Sequence, residues 1–173
     1  MRDLRLPSEA QGTRKKVVIE RTFDARIEDV WELWTTSDGI ESWWGPEGFA
    51  VKVHRLELRP GGELTYAMTA TAPEQMEFLK KAGMPLTQEA RVTYTEVARP
   101  RRLAFTQLAD FIPNVKPYEV ATTVELNTVR EGVRMILTLD AMHDEQWTRL
   151  AVMGWESELD KLAKRLERAE PIA

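Results

Sequence analysis

The chain has no cysteine among its 173 residues. Disulfide bonds, thiolate metal sites and a cysteine nucleophile are therefore excluded. It has only two histidines, His54 and His143, and no H-E-x-x-H motif, which leaves too few ligands for a zinc site. The nine glycines form neither a G-x-G-x-x-G motif nor a P-loop, and no serine lies in a G-x-S-x-G motif. We therefore expect no metal, no nucleotide and no other cofactor.

A surplus of positive charge and long apolar runs are also missing. The 24 basic and 28 acidic residues give a net charge of −4, whereas a nucleic-acid-binding face needs clustered positive charge. No run of about 18 apolar residues occurs, and residues 1–13 lack the apolar core of a signal peptide. We expect a cytoplasmic protein with no nucleic-acid partner and no stable membrane insertion, present as a monomer or a homodimer.

Length and composition predict one globular domain. A chain of this size can bury roughly 70% of the surface that its unfolded state exposes. Hydrophobic residues make up 43% of it and charged residues 30%, which is typical of a globular protein. Residues 1–15 are polar and lack periodicity, so we expect a flexible N-terminal arm, a single domain over residues 16–168 and a tail over residues 169–173.

Hydrophobic periodicity predicts an α+β protein. Alternation over Lys16–Asp24 predicts a first strand, and helical spacing of apolar residues from Ile27 to Trp34 predicts a short helix. One further helical turn is expected over Ile40–Trp44. Alternation then predicts six more strands, mostly antiparallel because their short turns cannot form parallel crossovers. These strands begin near Phe49, Leu64, Val92, Leu103, Tyr118 and Val133.

A long amphipathic helix is predicted from about Asp144 to Arg168. Asp144 is expected to cap its N-terminus. Gly154 lies inside this helix, where a glycine costs roughly 1 kcal/mol relative to alanine. We interpret it as a site of close packing against Trp31 or Trp34, and the alternative is that it makes room for a ligand.

The segment Pro73–Pro85 is the exception to the strand pattern. It has a helical stretch and interrupts what would otherwise be a hairpin. Insertions of this length are often lids or binding loops. A lid over a binding site and a surface decoration packed on its own apolar residues are both open interpretations.

The block Trp43-Trp44-Gly45-Pro46 places two indoles where the second short helix ends. Each indole buries roughly 150–250 Å², so the pair either fills the end of the core or lines a pocket. We expect Trp43 to pack the short helix onto the sheet and Trp44 to lie nearer to the mouth of a cavity. Gly45 and Pro46 would then turn the chain into the second strand.

The order of the elements predicts an internal cavity. A twisted antiparallel sheet curves, and a single helix across its concave side cannot fill all the space. An apolar hollow is therefore expected between the helix and the sheet, which is a common location for small-molecule sites.

Four of these segments together resemble one family. They are the run from Ile19 to Trp34, the block Ser42-Trp43-Trp44-Gly45-Pro46, the turn Arg59-Pro60-Gly61-Gly62, and Gly154-Trp155 with Leu159 and Leu162. Over about residues 16–167, the chain resembles the activator-of-heat-shock-protein-ATPase homologue-like branch of the START-like (SRPBCC, helix-grip) superfamily. The inserted segment Pro73–Pro85 departs from the family's usual short turn.

The resemblance implies the helix-grip fold, in which a seven-stranded antiparallel sheet wraps round a long C-terminal helix and leaves a hydrophobic ligand cavity. It also implies a protein that encloses a small apolar or amphipathic ligand such as a lipid or polyketide. The alternatives are a cyclase- or dehydratase-type enzyme acting in the same cavity and a protein-interaction module, for example a chaperone partner. No shared catalytic motif comes with the superfamily, so the fold alone does not settle the function.

His143 is the catalytic candidate, because it precedes the long helix beside Asp140 and Asp144 and could act as a general acid or base. A local capping or salt-bridged role is the simpler interpretation.

The predicted ligand-binding residues are large apolar side chains, together with polar side chains at inward-facing positions that need a partner when buried. They are Trp34, Trp44, Phe49, Tyr66, Met68, Phe78, Arg91, Phe105, Gln107, Thr122, Met135, Trp147 and Met153. A ligand hydroxyl or carboxylate, or a neighbouring strand side chain, would be the partner of the polar members.

Overall fold

The computed structural model describes residues 15–110, 112 and 114–168. The predicted N-terminal arm lies outside these residues apart from residue 15, and the predicted tail lies outside them entirely. Within the described residues the chain forms seven strands and four helices. Their bounds are β1 Lys16–Phe23, α1 Ile27–Thr35, α2 Ser37–Trp43, β2 Phe49–Leu56, β3 Glu63–Ala70, α3 Pro73–Lys81, β4 Thr87–Ala98, β5 Arg102–Ala109, β6 Tyr118–Val129, β7 Gly132–Asp140 and α4 Glu145–Arg168.

The seven strands of the described chain form one antiparallel sheet in the order β1-β7-β6-β5-β4-β3-β2. Strands β2 to β7 each lie beside their neighbours in sequence, as expected for strands joined by short turns. The first strand pairs with β7 instead, and α1 and α2 carry the chain from β1 to β2 at the opposite edge. This sheet and the long helix α4 confirm the predicted α+β helix-grip fold.

The two short helices pack together through the tandem indoles. The ring nitrogen of Trp43 donates a hydrogen bond of 2.8 Å to the carbonyl of Leu33 in α1, and Trp43 is completely buried. Leu33 lies in the last turn of α1, where carbonyl groups lack helical partners. Trp43 therefore satisfies a carbonyl at the end of α1 and packs its ring against Trp34 of the same helix.

Helix α4 packs on the core from Trp155 to its C-terminal end. Its buried residues there are Trp155, Leu159, Leu162 and Leu166, whereas Leu150 and Met153 in the N-terminal half are 48% and 61% exposed. The predicted cap is confirmed, because Oδ1 of Asp144 accepts a hydrogen bond of 2.8 Å from the amide of Trp147.

The predicted close packing at Gly154 is wrong. A Cβ built on Gly154 would have no neighbour within 4 Å. The reason is that α4 meets the short helices through Trp155, whose ring stacks on Trp34 with centroids 6.0 Å apart. Gly154 itself points away from that contact.

The hydrophobic core occupies the concave side of the sheet beneath α1, α2 and the C-terminal half of α4. A second, smaller cluster lies at the other end of the sheet. It contains Ala109, Ile112 and Val120, with Val115, Tyr118, Met142 and Trp147 packed against them. The space between these two clusters positions the candidate site.

Candidate functional site

A cavity of about 1000 Å³ lies between the sheet and the N-terminal half of α4. Strands β3 to β7 supply most of its wall, and Ala151 and Trp155 supply the helical side. The cavity begins where the large core side chains end, since Ala90 and Ala109 line it on the sheet. Its volume is within the range of about 300–1,000 Å³ that is usual for small-molecule pockets.

Two neighbouring strands separate at the cavity. Pairing between β4 and β5 ends at Val92↔Gln107, so that residues 87–91 of β4 pair with β3 alone. We call this region the strand split. The strand split opens the wall of the cavity. Thr106 and Leu108 alternate with the inward-facing residues of β5 and so belong to its other face, yet they line the cavity because the wall is open there.

The strand split leaves main-chain groups of Glu89 without a strand partner. The carbonyl of Leu86 bonds to the amide of Ala70, and the amide of Tyr94 bonds to the carbonyl of Gly62, both on the β3 side. Even-numbered residues of this part of β4 therefore direct their main chain toward β3, and Glu89 directs its amide and carbonyl toward β5. No residue of β5 pairs with Glu89 in the described part of the chain.

Thr122 is the most deeply buried polar side chain in the cavity wall. It faces inward between Val120 and Val124 on β6, lines the cavity and is only 2% exposed. Its hydroxyl has no hydrogen-bond partner in the described part of the chain. Among the described residues, the fully buried side-chain atoms without a partner are the ring nitrogens of Trp31 and Trp34, so the hydroxyl of Thr122 is open to the cavity and accessible to a bound ligand.

Two further neutral polar groups lie near Thr122. Gln107 is its diagonal neighbour across β5 and β6, because Gln107 pairs with Val120. The hydroxyl of Tyr66 lies near the side chains of Gln107 and Trp44. Burial raises the pKa of Tyr66 to about 12, so its hydroxyl stays protonated. We call Thr122, Gln107 and Tyr66 the neutral cluster.

Charged side chains of the cavity lie at its solvent-exposed rim. The rim contains His54, Glu89, Arg91, Asp110 and Glu119. Nε2 of His54 lies 3.1 Å from a carboxylate oxygen of Glu89, and their side chains are 47% and 70% exposed. Three carboxylates against one arginine and one histidine make the rim acidic.

The loop that follows Trp44 is held on helix α4. A carboxylate oxygen of Glu158 accepts a hydrogen bond of 3.2 Å from the amide of Gly45, and Nζ of Lys161 donates one of 2.9 Å to the carbonyl of Gly45. The hydroxyl of Ser157 accepts from the amide of Glu47 at 3.1 Å. This attachment fixes Trp44, which contacts Tyr66 behind the cavity wall with ring centroids 6.2 Å apart.

Burial changes the ionisation of the two charged groups in this attachment. It raises the pKa of Glu158 to about 7, although the amide of Gly45 and the charge of Lys161 act in the opposite direction. Burial also lowers the pKa of Lys161, while the charges of Glu158 and Glu47 raise it. Glu158 is therefore poised to change charge near neutral pH.

The structure brings together only part of the predicted ligand-binding set. Those that line the cavity are Tyr66, Met68, Arg91, Gln107 and Thr122. The predicted residues that lie in the core and supply no lining are Trp34, Trp44, Phe105 and Met135.

The other four predicted residues lie elsewhere. Trp147 packs on the second cluster, and Phe49 is half-buried at the start of β2. Phe78 and Met153 are 65% and 61% exposed. Sequence reasoning missed wall residues such as Ala90, Ala151 and Trp155. The sequence did contain a pattern that could have identified Ala151 and Trp155, because they lie four residues apart on the apolar stripe of α4.

Neither His143 nor the inserted segment contributes to the cavity wall. Nδ1 of His143 lies 2.9 Å from the hydroxyl of Tyr118, and Nε2 lies 3.4 Å from Asp144. Helix α3 starts against the loop before β2, where the carbonyl of Gly48 accepts from the amide of Ala72. A lid role for residues 73–85 stays a prediction.

Two other kinds of site are absent from the described residues. No cluster of three or more histidine or acidic side chains among them is arranged to hold a metal ion. No helix in the described part of the chain combines the length and the apolar character needed to span a bilayer.

Comparison with known proteins places the chain among relatives. The sequence profile of the Activator of Hsp90 ATPase homolog 1-like protein family matches residues 24–167. A search of curated protein sequences found no match.

Solved structures share the fold. A protein from Chromobacterium violaceum is 22% identical with a TM-score of 0.71, and the match covers 88% of this chain and 97% of that one. The AHSA1 protein from Silicibacter pomeroyi is 21% identical with a TM-score of 0.71, over 90% and 100% of the two chains. The AHSA1-like protein from Aeromonas hydrophila is 24% identical with a TM-score of 0.68, over 90% and 94%. At these identities the likeness shows the fold alone.

Proposed function

Since the chain belongs to the Activator of Hsp90 ATPase homolog 1-like family, we propose that it is a small-molecule binding protein whose apolar or amphipathic ligand occupies the cavity beneath α4. The family fold commonly binds hydrophobic ligands or partners. A lipid or a polyketide is the class of ligand that we propose.

The cavity itself carries the proposal. It is large, it lies where the core is interrupted, and its wall combines apolar side chains such as Met68, Val120 and Leu139 with a few neutral polar groups. Small-molecule sites usually have this composition, because apolar surface supplies affinity and a few polar groups fix the orientation of the ligand.

Binding is favoured over proton transfer by the positions of the titratable groups. A general acid or base must lie within hydrogen-bond reach of the reacting atom. In this cavity the carboxylates and the imidazole lie at the exposed rim, and the polar groups farther from solvent are a buried threonine, a half-buried glutamine and a protonated tyrosine. These groups hold and orient a ligand better than they move protons.

The proposal is tested by native mass spectrometry and tryptophan-fluorescence titration against a panel of lipids and polyketides. The cavity-filling variant Ala151→Phe places a ring where the helix lines the cavity. The matched control is Leu150→Phe, which alters the preceding and largely exposed residue of the same helix.

We expect at least one member of the panel to bind the wild-type protein and Leu150→Phe, and to lose binding to Ala151→Phe. Circular dichroism checks that both variants fold. Silence across the whole panel, or a ligand that binds Ala151→Phe as well as it binds the wild type, would overturn the proposal.

A further inference from the structure

The deepest polar group in the cavity is unpartnered. Thr122 is 2% exposed, and its hydroxyl faces the cavity without a hydrogen-bond partner among the described residues. The hydroxyl is open to the cavity and is not sealed within the core, so a ligand in the cavity can form a hydrogen bond with it. The hydroxyl can both donate and accept, so it suits a ligand group with either capability.

No buried charge accompanies this hydroxyl in the cavity wall. Its polar neighbours Gln107 and Tyr66 are neutral, and the cationic side chains that line the cavity, Arg91 and His54, lie at the rim. Both already face carboxylates: Arg91 lies 3.8 Å from Glu63 and His54 lies 3.1 Å from Glu89. A carboxylate placed beside Thr122 would therefore be buried without a counterion, at a high cost.

The strand split adds a second neutral anchor. Glu89 directs an amide and a carbonyl toward β5, no residue of β5 pairs with it in the described chain, and Glu89 lines the cavity. An uncharged group that both donates and accepts hydrogen bonds can pair with either main-chain atom. The acidic rim around it repels an anion at the same place.

We propose that the ligand of this cavity carries an uncharged hydrogen-bonding group, a hydroxyl or an amide, which binds the Thr122 hydroxyl, and that the cavity discriminates against carboxylates. The inference rests on the proposed binding function and narrows it. Long-chain alcohols and hydroxylated polyketides fit this description, whereas ionised fatty acids do not.

A matched set of probes tests the headgroup. Decanol, decanoate and decylamine have the same chain and differ at one end, and at about pH 8 the acid and the amine are both charged. Affinities are measured by tryptophan fluorescence and checked by isothermal titration calorimetry. We expect decanol to bind at least about tenfold more tightly than either charged probe.

Variants of β6 assign the preference to one side chain. Thr122→Val keeps the shape and removes the hydroxyl, so decanol should lose about tenfold in affinity while decanoate changes little. Thr122→Ser should retain the preference. The matched control is Thr123→Val, since alternation along β6 turns Thr123 to the opposite face of the sheet.

The outcomes separate the two proposals. If decanoate or decylamine binds the wild type as tightly as decanol, or if Thr122→Val keeps the full preference, the headgroup inference is overturned and the binding function stands. If none of the three probes binds and the lipid and polyketide panel is also silent, the binding function itself is overturned, and the inference falls with it.

Discussion

At the scale of single residues, the tandem indoles have separate structural roles. Trp43 ends helix α1 by bonding the carbonyl of Leu33, whereas Trp44 contacts Trp34, Trp155 and Tyr66. The contacts described for Trp43 are with Leu33, Trp34 and Trp44, so its predicted packing of the short helix onto the sheet stays a prediction. Trp44 lies one side chain away from the cavity, behind Tyr66, and supports the wall without lining it.

The role of Trp43 predicts a loss of stability on substitution. Trp43→Phe removes the indole nitrogen that caps α1 and leaves a void in a fully buried site. An unpaired buried carbonyl and a small cavity together should lower the free energy of unfolding by about 2–3 kcal/mol. Urea unfolding followed by circular dichroism measures this, and a loss below about 1 kcal/mol would contradict the capping role.

Glu158 predicts a pH dependence of stability. Its pKa in the folded protein is about 7, above its ordinary value of 4.5. Between these values the folded state holds a proton that the unfolded state lacks, so the free energy of unfolding falls as the pH rises from about 4.5 to 7. The fall attributable to this group is at most about 3 kcal/mol.

Glu158→Gln isolates that contribution. Glutamine cannot ionise, yet its side-chain oxygen can still accept the hydrogen bond from Gly45. Relative to the wild type, the variant should therefore be more stable at about pH 8 than at about pH 5. Glu156→Gln, at an exposed position of the same helix, is the control. An equal difference at both pH values for Glu158→Gln would show that burial does not perturb this carboxyl.

At the scale of elements, two helical glycines have opposite surroundings. A Cβ on Gly39 in α2 would lie 2.6 Å from the carbonyl oxygen of Glu32 and 2.8 Å from Cα of Leu33, which are both main-chain atoms of α1. Gly39 thus permits the close approach of the two short helices. Gly154 in α4 has no such neighbour.

Alanine substitution should therefore change stability in opposite directions. Gly39→Ala forces α1 and α2 apart and should cost about 2–3 kcal/mol. Gly154→Ala should add up to about 1 kcal/mol, because it raises helix propensity without a steric conflict. Thermal unfolding of both variants measures the change in the free energy of unfolding that each substitution causes. A gain for Gly39→Ala, or a loss for Gly154→Ala, would contradict the packing described for these helices.

The elements themselves could be predicted from the sequence because burial alternates with the period of each backbone. Strand β6 is an example: Val120, Thr122, Val124 and Leu126 are buried and the residues between them are not. Periodicity also predicted the long helix, and the position of Asp144 before its first turn predicted the cap. Periodicity could not indicate where β4 and β5 separate. It reports which face of one strand is buried, whereas the separation depends on the pairing between two strands.

The candidate site could be predicted only in part, for a related reason. Phe105 and Gln107 share one face of β5, yet Phe105 is 1% exposed in the core and Gln107 lines the cavity. Periodicity identifies the face of a strand but not the depth along it. Small residues such as Ala90 and Ala151 give no sequence signal at all, although the cavity exists partly because they are small.

At the scale of the whole molecule, helix α4 joins a packed region to an open one. From Trp155 to Leu166 its apolar side chains are buried in the main core, and Glu158 and Lys161 attach it to the loop after Trp44. Before Trp155 the helix covers the cavity, with Ala151 against open space. The part of α4 after Trp155 is therefore held by packing in the core. The part before Trp155 lies over the cavity, so its support depends on the contents of the cavity.

This division predicts how ligand binding changes local stability. Hydrogen exchange measures the free energy of local opening, which is small where few apolar contacts are buried. In the free protein, amides between residues 148 and 154 should exchange faster than amides between residues 157 and 166, by about tenfold or more. A ligand in the cavity fills the space under Ala151, so it should slow the first group selectively and leave the second nearly unchanged. The same ligand should also protect the amide of Glu89 at the strand split. Equal protection along the whole helix in the free protein, or a ligand that slows both groups alike, would show that α4 opens as one unit and that the cavity does not determine its stability.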